Sequence, residues 1–327
     1  MSPRWRLAVT TAAALALALG VAGYLLLVPP HSTTPALGPT IAPVLAQPGR
    51  LWFRMSAGTT HGTIASAPSG AGQAMPAPVP LHCDRFHTAG GTGVCVRSVP
   101  GPVPTSEALV TDARLVVRQR VALPGVASRA RVSASGHLVA WTTFVTGDSY
   151  AQGGFSTRTG LLDLRGGNLV TSIEDIPLYR DGKRLRSPDL NYWGMTFAAD
   201  DDRFYATVAT NGRTYLVEGR LGRWRADVRR ENVECPSLAA DGNRVAFKKR
   251  VDGAKVWRLA VLDLATGRET ELPGTDGVDD QALWLDDQTL AYGMAVAGGR
   301  TDIFVVHAGA ATPPRLLRSD ATSPAVT

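Results

Sequence analysis

One stretch, Glu234 to Leu272, constrains the fold of this chain more than any other. It reads ECPSLAADGNRVAFKKRVDGAKVWRLAVLDLATGRETEL. Four short strand patterns lie in it: Cys235–Leu238, Arg244–Arg250, Val256–Asp263 and Arg268–Leu272. Turn residues separate them at Asp241-Gly242, Asp252-Gly253 and Thr266-Gly267. Aspartate caps its own backbone and glycine accepts a positive φ, so each Asp-Gly is a turn with a physical cause. Four antiparallel strands in about 40 residues make a small sheet that cannot bury both its faces alone.

The unit recurs. Ala246 in NRVAF corresponds to Ala291 in QTLAY, Tyr205 in DRFYA, Ala140 in HLVAW and Cys95 in TGVCV. The preceding turn recurs at Asp286-Asp287, Asp200-Asp201, Ser135-Gly136 and Gly91-Thr92-Gly93. From Cys95 onward these positions are spaced by 45, 65, 41 and 45 residues. Blade repeats run about 40–50 residues. The pattern predicts an all-β, six-bladed β-propeller over residues 50–327. The long spacing places an insertion at Asn168–Asp189, expected to lie over the surface as a mobile or functional loop that the fold can spare. The sixth blade draws on LWFR and GTIASAP after Arg50 but lacks an innermost strand there. Ser323-Pro324-Ala325-Val326 matches Cys235-Pro236-Ser237-Leu238, so the C-terminus is expected to supply that strand.

The SLAADGNRVAF element resembles the S-x-D-G-x-x-[IV]-A-[FY] signature of TolB-like (WD-type) propeller repeats. Asp241, Gly242, Val245, Ala246 and Phe247 carry the match. Roughly the last 275 residues look like the exported TolB-like proteins of actinobacteria, through NYWGMTFAADDDRFYA, ECPSLAADGNRVAFKKR and DDQALWLDD. The resemblance implies a binding module. The repeat is specific for fold and weak for activity, because propellers host binding, scaffolding and catalysis alike.

The N-terminus is of another kind. Arg4 and Arg6 precede Leu7–Val28, which carries no charge. As a helix that run would extend about 33 Å, enough to cross a bilayer core. The arginines orient residues 1–6 to the cytoplasm and the rest outside. A cleaved signal peptide is the rival, but no A-x-A site follows the run directly and the run is long for a signal. The expectation is a single-pass signal anchor at 7–28 in the cell membrane, a Pro-rich linker at 29–49 and an extracytoplasmic, monomeric propeller. With 44% hydrophobic and 19% charged residues, 34 glycines and 22 prolines, the composition suits a core-forming chain of many turns.

Outside the cell, Cys83 and Cys95 flank the hairpin DRFHTAGGTG and are expected to form a disulfide. A metal site from His82, Cys83, His87 and Cys95 fits no zinc spacing, so no metal or cofactor is expected. Cys235 reads as a small buried thiol. The net charge of +6 gathers at Arg114, Arg118 and Arg120, at Lys183, Arg184 and Arg186, and at Arg223, Arg225, Arg229 and Arg230. Cations on outer strands discourage edge pairing; the other reading is attraction to anionic lipid or wall polymer. Export argues against nucleic acid as a partner.

No H-E-x-x-H, G-x-S-x-G, C-x-x-C or P-loop occurs. Six scattered histidines leave a triad assembled in space open, and Asp200-Asp201-Asp202 reads as a turn rather than a metal cluster. Two functions remain: a non-catalytic binding or scaffold module for an envelope protein or glycan, or a hydrolase or lyase acting on an extracytoplasmic sugar or lactone. The candidate surface is the face where the innermost strands begin. Glu234 is expected opposite Lys249 or Arg250, with Lys248 beside them, Asp279, Asp280 and Gln281 in the next blade and Asn191 and Trp193 in the preceding one. Arg131 and the loop Gly147–Gly154 should border this face. Cross-strand charge pairing explains part of the pattern without a ligand; convergence beside aromatic faces suits a glycan or a peptide terminus.

Overall fold

The computed structural model describes residues 45–70, 74–145, 156–252, 257–309 and 312–327. The expected anchor at 7–28, the linker up to residue 44 and the loop Gly147–Gly154 lie outside these. Among the described residues no helix is long and apolar enough to cross a membrane.

Among the described residues six sheets follow one another, each built on four antiparallel strands. Blade two is β4 (Arg85–Ala89), β5 (Thr92–Val99), β6 (Thr105–Thr111) and β7 (Val117–Pro124). Blade three is β8 (Val126–Val132), β9 (Leu138–Val145), β10 (Ser156–Asp163) and β11 (Asn168–Val170). Blade four holds β14 (Asn191–Phe197), β15 (Arg203–Thr210), β16 (Arg213–Arg220) and β17 (Arg225–Glu231). Blade five is β18 (Glu234–Leu238), β19 (Arg244–Arg250), β20 (Trp257–Asp263) and β21 (Glu269–Glu271), close to the boundaries legible in the repeat. Blade six is β22 (Leu283–Trp284), β23 (Thr289–Val296), β24 (Arg300–His307) and β25 (Arg315–Arg318).

Blade one closes the ring. Its β1 (Arg50–Met55), β2 (Thr63–Pro68) and β3 (Ala77–His82) are joined by β26 (Ala321–Val326), which pairs with β1 through Leu51↔Val326 and Met55↔Ala321. The match between SPAV and CPSL holds in detail, because Ser323 and Cys235 share a positive φ of 52° and 49°.

Strand residues alternate between the two faces of a blade, and each face is buried against a neighbouring blade. In β19, Val245 and Phe247 pack back onto Tyr205 and Leu216 of blade four. Ala246 packs forward onto Trp284 and Tyr292 of blade six. Comparable clusters occupy the other four interfaces, such as Trp52 and Ile64 with Phe86 and Leu109. The turns are built as their residues dictate: Asp200, Asp241 and Asp286 each accept two backbone N–H groups within their own turn. Asp200 therefore holds the turn position that its alignment with Asp241 and Asp286 suggested.

The insertion is not a loose loop. Its first residues form β11, the outer strand of blade three. A 3-10 turn at Ile173–Asp175 follows, capped by Ser172, whose side chain accepts the Glu174 N–H. Then β12 (Leu178–Arg180) and β13 (Lys183–Leu185) extend blade four outward, β12 running parallel to β17. Ile173, Ile176 and Leu178 are buried in the cluster between blades three and four. Three apolar side chains in IEDIPL made this segment structural, against the expectation that the fold can spare it.

Cys83 and Cys95 are bonded, and Cys235 is a buried free thiol. Five of the cations singled out are ion-paired with neighbours: Arg118 with Asp112, Arg120 with Glu107, Arg225 with Asp227, Arg229 with Glu218 and Arg230 with Glu269.

Removing Ser323–Thr327 takes away most of a ladder and exposes β1, and should cost several kcal/mol in urea unfolding; a truncated protein that unfolds like the intact one contradicts the closure. Ile173→Ala should cost about 2–4 kcal/mol by the same measurement, whereas a dispensable insertion would show no loss. Thiol titration under denaturing, non-reducing conditions should find one thiol, and closing this loop should contribute about 2–3 kcal/mol; three thiols would refute the pairing.

Candidate functional site

The innermost strands define an axial channel, and a repeated irregularity shapes it. Register shifts interrupt β8, β14, β18 and β26 at Ala127/Arg129, Trp193/Thr196, Glu234/Ser237 and the Ser323-Pro324 step. Such bulges add an unpaired residue and turn backbone groups out of the ladder. Gly194 sits at one of them with φ +64°, and a Cβ there would meet the Cys235 Cα at 2.8 Å. The carbonyls turned outward are then satisfied by one side chain. Gln281 Nε2 donates to Pro236 O at 2.7 Å and lies 3.2 Å from Gly194 O and Met195 O. Buried Gln281 thus ties blades four, five and six together across the axis.

The bulge in β18 also sets which lysine faces Glu234. Because the strand carries extra residues there, Glu234 pairs with Lys248, not with Lys249 or Arg250. Lys248 faces forward to blade six and is buried, its Nζ 2.6 Å from Asp279 Oδ1, 3.8 Å from Glu234 Oε2 and 4.3 Å from the centre of the Trp257 ring. Arg129 reaches the same Asp279 oxygen at 3.4 Å. Burial pushes the Asp279 pKa up, but Lys248 and then Arg129 outweigh it and hold the carboxyl below its usual range. The contribution of Asp279 to stability is therefore complete above the ordinary aspartate pKa of about 3.9 and is lost as pH falls through the lowered value.

Lys249 is not part of this group. Successive strand residues point to opposite faces, so it turns back and binds Glu269 and Glu271, each at 2.7 Å. Asn191 is occupied in joining blades, accepting the Thr157 backbone N–H at 2.9 Å. Trp193 is half-buried in β14 opposite Thr207. Asp280 accepts from the Gln281 and Gly293 backbone N–H groups at 2.9 and 2.8 Å.

The waist of the channel is a cavity of about 30 Å³ lined by Arg85, His87, Arg129, Arg131, Asp280 and Gln281, among others. Arg131, expected at the face where the innermost strands begin, lies near the end of β8 and lines the waist instead; Arg85, His87 and Arg129 were not expected. Their signal was available, since Arg85/His87 and Arg129/Arg131 are i, i+2 pairs on single faces of two consecutive innermost strands. Beyond the waist, toward the β-turns, the channel widens into a funnel of about 490 Å³. His87 and Arg131 form its floor, and Thr196, Phe197, Leu238, Leu283 and Trp284 line its walls. Ala134, Ala240, Asp200 and Asp241 stand at its rim.

Among the described residues no three His, Cys, Asp or Glu side chains are placed to share a metal ion. Ser135, His137 and Asp201 do come together, but the serine hydroxyl and the imidazole both contact the same oxygen, Asp201 Oδ2, at 2.7 and 3.1 Å. The histidine does not stand between nucleophile and acid, as a serine relay requires. The trio joins the turns of blades three and four.

Fold and channel together define a six-bladed β-propeller. TolB from Acinetobacter baumannii is similar with a TM-score of 0.60 and 16% identity, over 85% of this chain and 66% of that one, just under two thirds of its length. A chain of the nidogen/laminin complex is similar with a TM-score of 0.53 and 11% identity, over 85% of this chain and 97% of that one. At such identities the likeness is one of fold. No family model and no curated protein matches the chain.

Lys248→Met should destabilise the protein by about 3 kcal/mol, because it leaves Glu234 buried without a partner, and adding Glu234→Gln should recover much of that. Lys249→Ala should cost about 1 kcal/mol or less. Urea unfolding checks both, and a larger loss at Lys249 would contradict the placement.

Proposed function

We propose that this chain is a membrane-anchored, extracytoplasmic propeller that binds an envelope protein or glycan, without catalysis, through its axial funnel. The observation that carries the reading is the chemistry of that funnel. It is concave, of ligand size and lined by both apolar and polar groups. Yet its rim acids are already engaged. Asp241 accepts from the Asn243 and Arg244 backbone N–H groups and from the Arg244 side chain. Asp200 is held in the same way by its own turn. Burial pushes both carboxyls up, but these bonds outweigh it and keep them below the ordinary range. Hydrolysis or elimination of a sugar or lactone needs an acid and a base poised near neutral pH, and these groups are poised for neither. The disulfide supports an oxidising compartment, in keeping with the charge-flanked apolar run at the N-terminus. Of the residues singled out in the sequence, Asp280 and Gln281 lie below the funnel floor, and Glu234, Lys248 and Asp279 brace the opposite face.

Ala134 and Ala240 are exposed at the rim, so Ala134→Trp with Ala240→Trp should fill the funnel without disturbing the core. Immobilised full-length protein should retain a set of envelope proteins or glycans that the filled variant, with unchanged thermal stability, releases. Identical retention by both would place binding elsewhere.

A further inference from the structure

The waist of the channel contains more hydrogen-bond donors than acceptors. Val132 N–H lies 3.2 Å from His87 Nδ1, which must therefore present its lone pair. Burial, reinforced by the adjacent Arg131, holds the His87 pKa well below its ordinary value, so the ring is neutral. A neutral imidazole has one acceptor nitrogen and one N–H. Its proton is then on Nε2, and Nε2 lies 3.0 Å from Arg131 Nη1, a group that can only donate. Two donors face each other with nothing between them to accept.

The rest of the waist does not relieve this. Nε of Arg129 and Nε of Arg131 are buried and have no hydrogen-bond partner. Arg85 also lines the cavity, its Nε spent on Ser128 O at 2.5 Å. The one carboxylate among the lining residues, Asp280, already accepts a backbone N–H on each of its oxygens. Arg129 is further engaged with Ser128 O and Asp279. Three guanidinium groups thus surround about 30 Å³ with a single carboxylate among them. Buried donors without acceptors are costly, and buried cations more so, unless a counter-charge is present.

We propose that the waist is an anion site that takes a carboxylate. Its oxygens would accept from Arg129 Nε and Arg131 Nε, and its charge would balance the arginines and ease the contact between Arg131 and His87. The volume admits a carboxylate group and little else. Access is through the funnel, since His87 and Arg131 line both spaces. The carboxylate can arrive as a free small acid or as the C-terminal end of a chain threaded down the funnel; the chemistry of recognition is the same. The site stands apart from the partner reading above, because a free anion can fill the waist whether or not the rim captures anything.

The test uses full-length protein in a background salt whose bulky sulfonate anion is too large for the waist. Sodium acetate should raise the melting temperature in a saturable way, and acetamide, the neutral analogue, should not. Arg131→Lys keeps the charge but loses Nε, and should weaken acetate at least tenfold. Should that variant fail to fold, the contrast between acetate and acetamide on the natural protein still decides. A short peptide with a free C-terminus that competes with acetate, while its amidated form does not, supports the site and identifies a chain end as the source. Acetate binding without peptide competition supports it with a free acid as the source. No acetate effect, or an equal effect of acetamide, overturns the proposal.

Discussion

The pairing of β26 with β1 is the interaction on which the rest of the molecule depends. Each blade buries its two faces on its neighbours, so a row of blades left open would leave two apolar faces and two strand edges in water. Closure removes both. Leu51 and Phe53 of β1 pack on Ile303 and Val305 of blade six, with Ala321 of β26 in the same cluster. Ala325 of β26 packs with Trp52 and Phe86 on the other side of the blade. Residues at the two ends of the propeller thereby complete two inter-blade cores at once, and only a closed ring has an axis along which a channel can run.

Once the ring is closed, the innermost strands converge, and their bulges decide what the channel is made of. A regular strand would present a plain edge to the axis. The bulges at Gly194 and Cys235 instead expose carbonyls of blades four and five that one amide, Gln281, satisfies. The same irregularity shifts Glu234 opposite Lys248 and fixes the ion cluster on one face. What remains is asymmetric: a braced, charged end, a narrow cationic waist and a wide funnel at the turn end. Backbone geometry, rather than any catalytic motif, produces this arrangement.

The fold was legible because its signals are local and repeated. Asp-Gly turns and period-two strands can be read without knowing what lies across the sheet, and the match of SPAV to CPSL revealed the closing strand. The insertion was misjudged because its charges and prolines outweigh in composition the three residues, Ile173, Ile176 and Leu178, that bury it. The candidate site was legible only in part. Glu234, Lys248, Asp279, Asp280 and Gln281 do gather around the axis, but Lys249 does not, because an uninterrupted register was assumed where a bulge intervenes. No turn residue announces a bulge at Cys235. The arginines of the waist follow the same strand alternation as the core residues, and nothing local distinguishes a charge directed into the channel from one directed to solvent.

Closure of the ring is tested most directly by hydrogen exchange of the backbone amides in β26 under native conditions. If these residues complete blade one, the amides of Thr322 and Ala325, which face β1 in the ladder, should exchange as slowly as those of β1 and β19, through global unfolding alone. Rapid exchange confined to the C-terminal residues, with β1 and the other blades still protected, would contradict the account.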